Sequence, residues 1–427
     1  MNIEDIYKIY QQFPTIETDS RKLKKDDIFF ALKGPNFNGN HFAKQSLDLG
    51  AAYVIADEPL DFEDERIINV TDVLETLQRL AKYHREQFQI PFIAITGSNG
   101  KTTTKELLHE VLSTTFKTYT TKGNLNNHIG IPLTILKIKS DAEMAVIEMG
   151  ANHLHEISGY CEYAQPTHGL ITNIGKAHLE GFGSEENVKK GKGELFKYLS
   201  LHNGTAFVNT DDNAVTDESK QVQHVIYYGS RSENAKGKII KNDPFIEVEI
   251  EAEKPVNIKT NLVGAYNLPN VLAAFYVGKY FKVDENSIKN AIENYVPSNS
   301  RSQLIEKDTN LIILDAYNAN PGSMKVAIDN FANMKGGKKI LLLGSMMELG
   351  SESEKEHAEI ISLIDQHKWY AVVLVGNNFK EIKNSYINLE NSLLAMDWLK
   401  NESVQNAQIL IKGSRSMQME KVLEAFQ

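Results

Sequence analysis

Cysteine is nearly absent from this chain: Cys161 is the only one in 427 residues. That excludes an internal disulfide framework and a cysteine-rich zinc site. Long apolar runs are missing too, since none approaches the roughly 18 residues that span a bilayer, and membrane insertion is not expected. The opening Met1-Asn2-Ile3-Glu4-Asp5-Ile6-Tyr7 is acidic and lacks the basic and apolar stretches of a signal peptide. There is no basic excess. The formal net charge of −10 argues against general binding of nucleic acid or acidic membrane. Anionic small molecules stay open, because a few local Lys, Arg and backbone N–H groups suffice for those. Internal repeats and low-complexity segments are also absent. What remains, 41% hydrophobic and 24% charged residues, is the composition of a soluble globular protein with two or three domains. These features agree on a reducing cytoplasm.

Three stretches read differently. Up to about residue 85, short β-like runs at 27–32 and 52–56 flank a turn-rich segment at 33–40, and a helical stretch follows near 74–88. From Pro91 the pattern becomes α/β. Phe92-Ile93-Ala94-Ile95-Thr96 reads as a buried parallel strand and 101–112 as a helix, with further strands at 145–149, 169–173 and 206–209. The alternation at 245–251 predicts a half-exposed antiparallel excursion, and a helix follows at about 267–280. Val296-Pro297-Ser298-Asn299-Ser300 marks a second boundary. Beyond it, apolar runs at 311–314, 339–343, 371–375 and 408–411, separated by helical stretches such as 354–366, predict a small parallel α/β domain. Its polar loops gather at the strand carboxyl ends, the edge where ligands sit.

Ile95-Thr96-Gly97-Ser98-Asn99-Gly100-Lys101-Thr102-Thr103 lies between a predicted strand and a predicted helix. Backbone N–H groups and the helix N-terminus can converge there on phosphate oxygens. Gly97 and Gly100 permit positive φ, Lys101 suits the β/γ-phosphates, and the Thr102 hydroxyl suits Mg²⁺. The general spacing wants glycine where Ile95 stands, so the loop must be a shortened variant. Glu148 ends a predicted buried strand, where an uncompensated carboxylate is costly. A metal, a basic partner or reach to solvent would each account for it, and Mg²⁺ needs only one or two protein ligands. His178 and Lys192, read singly, are an ordinary loop histidine and a solvated lysine. The amide-rich segments 123–130 and 315–321 suit turns as well as recognition of adenine edges or peptide backbones.

Together these segments strongly resemble the Mur ligases of peptidoglycan synthesis, over nearly the whole chain. The family's Thr-Gly-x-x-Gly-Lys-Thr loop stands at Thr96 to Thr102, which accounts for the failed spacing. Its Glu-Met-Gly stands at Glu148 to Gly150, and its Asn…Ala-His-Leu-Glu loop at Asn173 and Ala177 to Glu180. Tyr317 to Met324, Gly344 to Gly350 and Lys412 to Met417 are similar to the branch that adds D-alanyl-D-alanine. The Asp-Asn-Pro-Arg motif of the branch adding the third amino acid is absent. Departures are Tyr266 where histidine is usual, Ala316 where an acidic residue is common, and Ser345 in place of aspartate.

The resemblance implies an α/β fold in three domains. These are an N-terminal mixed α/β uridine-nucleotide-binding domain (1–85), a central P-loop ATPase-type domain with a mainly parallel sheet (86–298), and a C-terminal Rossmann-like α/β domain (299–427). It implies ATP binding by Gly97, Ser98, Asn99, Gly100, Lys101, Thr102, Thr103, Asn127, Asn267, Arg301 and Asp315. Lys101, Glu148, His178 and Lys192 become the catalytic set. Two Mg²⁺ ions are implied, held by Thr102, Glu148, His178 and a CO₂-derived carbamate on Lys192. Thr18 to Arg21 and Phe30 to Gly34 resemble uridine-nucleotide-binding segments, which places Asp19, Ser20, Arg21, Lys33, Gly34, Asn40 and His41 at the UDP-sugar end. Tyr317, Asn318 and Asn320 fall to D-alanyl-D-alanine. The implied reaction joins that dipeptide to UDP-N-acetylmuramoyl-tripeptide through an acyl phosphate at the expense of ATP. A monomer with no nucleic-acid partner is expected.

Two rivals are a ligase of the folylpolyglutamate synthetase type and a non-catalytic nucleotide-binding regulator. The uridine-type motifs and Asn318-Ala319-Asn320-Pro321 disfavour the first. The joint presence of Lys101, Glu148, His178 and Lys192 disfavours the second. Neither the third residue of the tripeptide nor the choice among Asn124, Asn126 and Asn127 for adenine is legible.

Overall fold

The computed structural model describes residues 1–233, 235–251 and 254–426. Near the N-terminus, β1 (Ile16–Glu17) and β2 (Ile28–Phe30) are followed by β3 (Lys33–Gly34) and β4 (Phe37–Asn38), then by β5 (Tyr53–Ala56) and β6 (Ile67–Asn69). A four-stranded sheet runs β1-β2-β5-β6, parallel throughout. The segment expected to be irregular is instead a short ribbon, with β3 antiparallel to β4. The helix Val73–Arg85 starts on the Asp72 side chain, which accepts from Glu75 N. It docks this first part on the next: Gln78 Nε2 donates to His128 O (3.1 Å) and Arg85 Nε to Ala164 O (3.0 Å).

The central sheet contains β7 (Phe92–Thr96), β8 (Thr118–Thr120), β9 (Met144–Glu148), β10 (His168–Ile171), β11 (Thr205–Asn209) and β12 (His224–Tyr228). Its order is β12-β11-β10-β7-β9-β8, and every pairing is parallel. All five residues of β7 are buried, which explains the unbroken apolar run. From β7 the chain first builds β8 and β9 on one side, then crosses to β10, β11 and β12 on the other. The crevice at such a switch point lies at the carboxyl ends of β7, β9 and β10. The loop at 97–100, Glu148 and the 172–178 segment all lie there.

Three antiparallel strands follow: β13 (Gly237–Asn242), β14 (Phe245–Ile250) and β15 (Val256–Val263). Ile246, Val248 and Ile250 are fully buried and alternate with half-buried residues, as the period of two predicts. They share a core cluster with Val271, Leu272 and Phe275 of the helix Leu268–Tyr280.

The last sheet holds β16 (Gln303–Lys307), β17 (Asn310–Asp315), β18 (Lys338–Gly344), β19 (Ala371–Val375), β20 (Ile387–Leu389) and β21 (Ala407–Lys412), in the order β16-β17-β21-β18-β19-β20. The four expected runs are β17, β18, β19 and β21, all parallel. The edge strands β16 and β20 escaped the sequence pattern, and β16 is antiparallel to β17. One buried cluster continues through all three parts and includes Leu77, Ile131, Phe182, Met346 and Ile360. Among the described residues no helix is long and apolar enough to cross a membrane.

Candidate active site

The loop after β7 turns on two glycines with positive φ, Gly97 at 140° and Gly100 at 80°. A Cβ on Gly97 would lie 2.0 Å from Thr172 Oγ1, so no other residue fits. The loop is stitched to the segment after β10. Ser98 N donates to Asn173 O (2.9 Å), Asn99 N to Asn173 Oδ1 (2.9 Å), and Thr172 Oγ1 to Asn99 O (2.6 Å). The helix Lys101–Ser113 begins immediately, and its first-turn N–H groups lack intrahelical partners. Lys101 curls back, with Nζ donating to Gly97 O (2.7 Å) and Ser98 O (3.3 Å). Burial lowers the pKa of Lys101, Glu148 opposes that shift, and Arg301 adds to it.

Glu148 is 1% exposed at the end of β9. Its Oε1 accepts from Thr102 Oγ1 (3.1 Å) and Asn126 Nδ2 (2.8 Å), while Oε2 is buried with no partner. A carboxylate oxygen left this way is costly, and Glu148 with the Thr102 hydroxyl fits a hard cation. His178 sits in a left-handed turn (φ 52°), and its Nδ1 meets Glu348 Oε2 at 2.5 Å. That contact holds the Glu348 carboxyl below its usual range. Among the described residues no group of three or more His, Cys, Asp or Glu comes together as a metal cluster.

Lys192 is not the solvated lysine that its sequence context suggests. It is 0% exposed in the helix Glu185–Leu201, and Nζ donates to Ala151 O (2.9 Å). Burial pushes its pKa well below the ordinary lysine value, and Lys101 adds to the shift. The flanking glycines were the signal. Glycine inside a helix costs about 1 kcal/mol relative to alanine, and here a Cβ on Gly191 would come 2.5 Å from Phe182 and one on Gly193 2.2 Å from Glu218.

A cavity of about 750 Å³ opens over the loop. Ser98 to Thr103, Asn127, Glu148, His178, Asn267, Arg301, Asp315, Tyr317, Asn318 and Asn320 all line it, from both the central and the last part. The Arg301 guanidinium stacks 3.6 Å from the Tyr317 ring centroid, leaving Nε buried without a partner. Lys412, which opens the segment Lys412 to Met417 but has no role assigned from sequence, is 1% exposed and pairs with Asp315 (2.6 Å). The two residues are register partners at the ends of β21 and β17.

Several amides are committed locally. Asn320 caps the helix Pro321–Asn333, and its Nδ2 donates to Asn99 Oδ1 (2.8 Å). Asn267 donates to Val263 O and accepts from Asn270, both at 2.9 Å. Asn127 Oδ1 accepts from Gly130 N (2.8 Å), and Asn126 is held by Glu148. The departures also find places: Tyr266 OH meets Ser302 Oγ at 2.8 Å, Ala316 is buried in the core, and Ser345 Oγ donates to Val375 O (3.2 Å).

The first-part residues do not line this cavity. Asp19 and Arg21 pair at 2.8 Å, and that hydrogen bond lowers the Asp19 pKa to about 2. Ser20 lies between them, half-buried. Lys33 pairs with Asp57 (3.2 Å), while Asn40 is buried and donates to Asp57 Oδ1 (2.9 Å). Gly34 packs against the Phe37 ring, and His41 is exposed.

Three family descriptions match the chain. "Mur ligase family, catalytic domain" covers residues 13–85, "Mur ligase middle domain" 95–278, and "Mur ligase, glutamate ligase domain" 300–415. The chain is 33% identical to the UDP-N-acetylmuramoyl-tripeptide--D-alanyl-D-alanine ligase of Bacillus subtilis, over 96% of this chain and 92% of that protein. Its fold is similar to a crystal structure of MurF from Acinetobacter baumannii, with a TM-score of 0.88 and 30% identity over 96% of this chain and 93% of the other. MurF of Thermotoga maritima in complex with ADP aligns with a TM-score of 0.85 and 28% identity over 96% of both chains. The protein is a member of the Mur ligase family.

Proposed function

We propose that this protein is an ATP-dependent amide ligase that adds D-alanyl-D-alanine to UDP-N-acetylmuramoyl-tripeptide, in peptidoglycan precursor synthesis. One observation carries the reading: the glycine loop and Glu148 share a single cavity with Arg301, Asp315, Tyr317 and Asn318 of the last part. The names of full-length relatives support the choice of substrates. The first part, taken as 1–85, would hold the UDP-sugar end through Asp19, Ser20, Arg21, Lys33, Gly34, Asn40 and His41. The central part, 86–298, would hold ATP, and the last, 299–427, would bring Tyr317, Asn318 and Asn320 to the dipeptide. Dependence on ATP supports placing the enzyme in the cytoplasm.

The tripeptide's terminal carboxylate attacks the γ-phosphorus, ADP leaves, and an acyl phosphate forms. The dipeptide amine then attacks that carbonyl, and inorganic phosphate departs. The chain's own part is positioning and charge. Loop N–H groups and the helix N-terminus receive the phosphates, and Lys101, now folded onto the loop carbonyls, releases them to meet the anion. Arg301 brings a second positive group from the last part, and Asn127 and Asn267 sit at the cavity wall where a purine edge would lie. Thr102, Glu148 and His178 would hold Mg²⁺, which neutralises phosphate charge when bound. Lys192 suits a carbamate, because burial favours the neutral amine that CO₂ requires. Exclusion of water from the closed cavity protects the acyl phosphate.

The test is phosphate release with ATP, the UDP-linked tripeptide and D-alanyl-D-alanine, each omitted in turn. Release that needs all three supports the proposal, and release indifferent to the dipeptide refutes it.

A further inference from the structure

The segment after β10 is gripped from the last part at three points. Lys176 Nζ donates to Glu356 Oε1 at 2.7 Å, and Glu356 is 2% exposed. Glu180 N donates to Glu348 O at 3.0 Å. His178 Nδ1 meets Glu348 Oε2 at 2.5 Å. His178 and Glu348 both have left-handed backbones, φ 52° and 63°. For residues with a Cβ that conformation is uncommon and persists only where the surroundings impose it. Here the imposed shape aims two side chains, from the segments after β10 and β18, at one another.

The geometry points to Glu348 as a positioning residue for His178, supplied by the last part and seated by the pair of half-buried Lys176 with buried Glu356. Glu348 takes the Nδ1 side of the ring, which leaves Nε2 toward the cavity that His178 lines. A carboxylate on one ring nitrogen fixes the tautomer and orientation of the other. Because the carboxylate comes from another part of the chain, the ring is set only when the last part is seated. Lys176 and Glu356 fix that seat. Lys176 is half-buried and also lies 3.8 Å from Glu185, but Glu356 is 2% exposed, and separation that leaves its carboxylate unpaired in the protein is disfavoured. Binding of the last part and orientation of the histidine thereby become one event, and chemistry cannot begin on an open, wet site.

This inference rests on the ligase reading for its consequence, but its test does not need turnover. Mn²⁺ affinity is measured by paramagnetic resonance in the presence of a non-hydrolysable ATP analogue, for the unaltered protein, Glu348→Ala and Glu348→Gln. Closure is followed by energy transfer between dyes on Lys197→Cys and Lys383→Cys, both exposed sites, with the buried Cys161 spared. Glu348→Ala is expected to weaken Mn²⁺ by about 10- to 100-fold, the usual cost of losing such a partner. Glu348→Gln recovers most of it, since its amide oxygen still accepts from Nδ1–H. Glu356→Gln and Lys176→Met each lower the closed fraction, and the double variant is no worse than either single one. Unchanged Mn²⁺ affinity in Glu348→Ala overturns the positioning role. Unchanged energy transfer in both single variants overturns the seat. Absence of ligation by the unaltered protein would instead count against the ligase reading and leave both measurements interpretable.

Discussion

At Gly97 the constraint is steric and conformational at once. The residue combines φ 140° with a neighbour, Thr172 Oγ1, that would stand 2.0 Å from any Cβ. Gly97→Ala is therefore expected to keep the fold but to weaken ATP binding by at least about tenfold, or roughly 1.4 kcal/mol, as calorimetry would show. Unchanged affinity would mean that the loop does not hold the nucleotide. Lys192 works through burial. Lys192→Ala is expected to abolish ligation, with bicarbonate unable to restore it, whereas the unaltered enzyme slowed by CO₂ depletion should recover on adding bicarbonate. Normal turnover in the variant would refute the carbamate. How little of Lys192 was legible is instructive. A sequence shows Gly191-Lys192-Gly193 but not which helix face meets β10, so an ordinary solvated lysine was the natural reading. By contrast, the phosphate loop needed only local features (two glycines, a lysine, a strand before and a helix after), and all are written in consecutive residues.

Elements were legible in proportion to their burial. β7, β9, β17, β18 and β21 are buried on both faces and appear as apolar runs, whereas β20 has three half-buried or exposed residues and leaves no pattern. Asn320, which lines the cavity, also has a duty within its own element. It accepts from Ser323 N at the start of its helix and reaches Asn99. Asn320→Ala is expected to cost about 1 kcal/mol through the lost cap and to raise KM for ATP. Asn320→Asp should restore melting temperature without restoring KM, because aspartate caps but cannot donate to Asn99. Recovery of both would confine Asn320 to capping. At the start of β10, His168 lies against Phe207, Tyr280 and Phe281, and burial lowers its pKa from 6.5 to about 4. Above pH 6.5 the ring is neutral in both states and the stability is fully present. Below it the unfolded chain takes the proton first, so stability is lost between about pH 6.5 and 4. His168→Phe should lose less over that window, by at most about 3 kcal/mol. Equal acid sensitivity would show that His168 titrates normally.

The whole molecule is organised by what the three parts share. Its continuous core cluster carries the first part onto the central one and the central one onto the last. The cavity forms where residues 98–103 face residues 301–320. The division into three could be read from the change of pattern at Pro91 and the break at 296–300. Their seating could not, because it depends on pairs such as Lys176 and Glu356, which are 180 residues apart and unremarkable in sequence. The seating serves one chemical claim, that a carboxylate is activated by phosphoryl transfer before the amine attacks. Oxygen-18 placed in the terminal carboxylate of the UDP-linked tripeptide tests it directly by mass spectrometry of the released phosphate. One labelled oxygen in the phosphate is the expected result, and phosphate free of label would contradict the acyl phosphate.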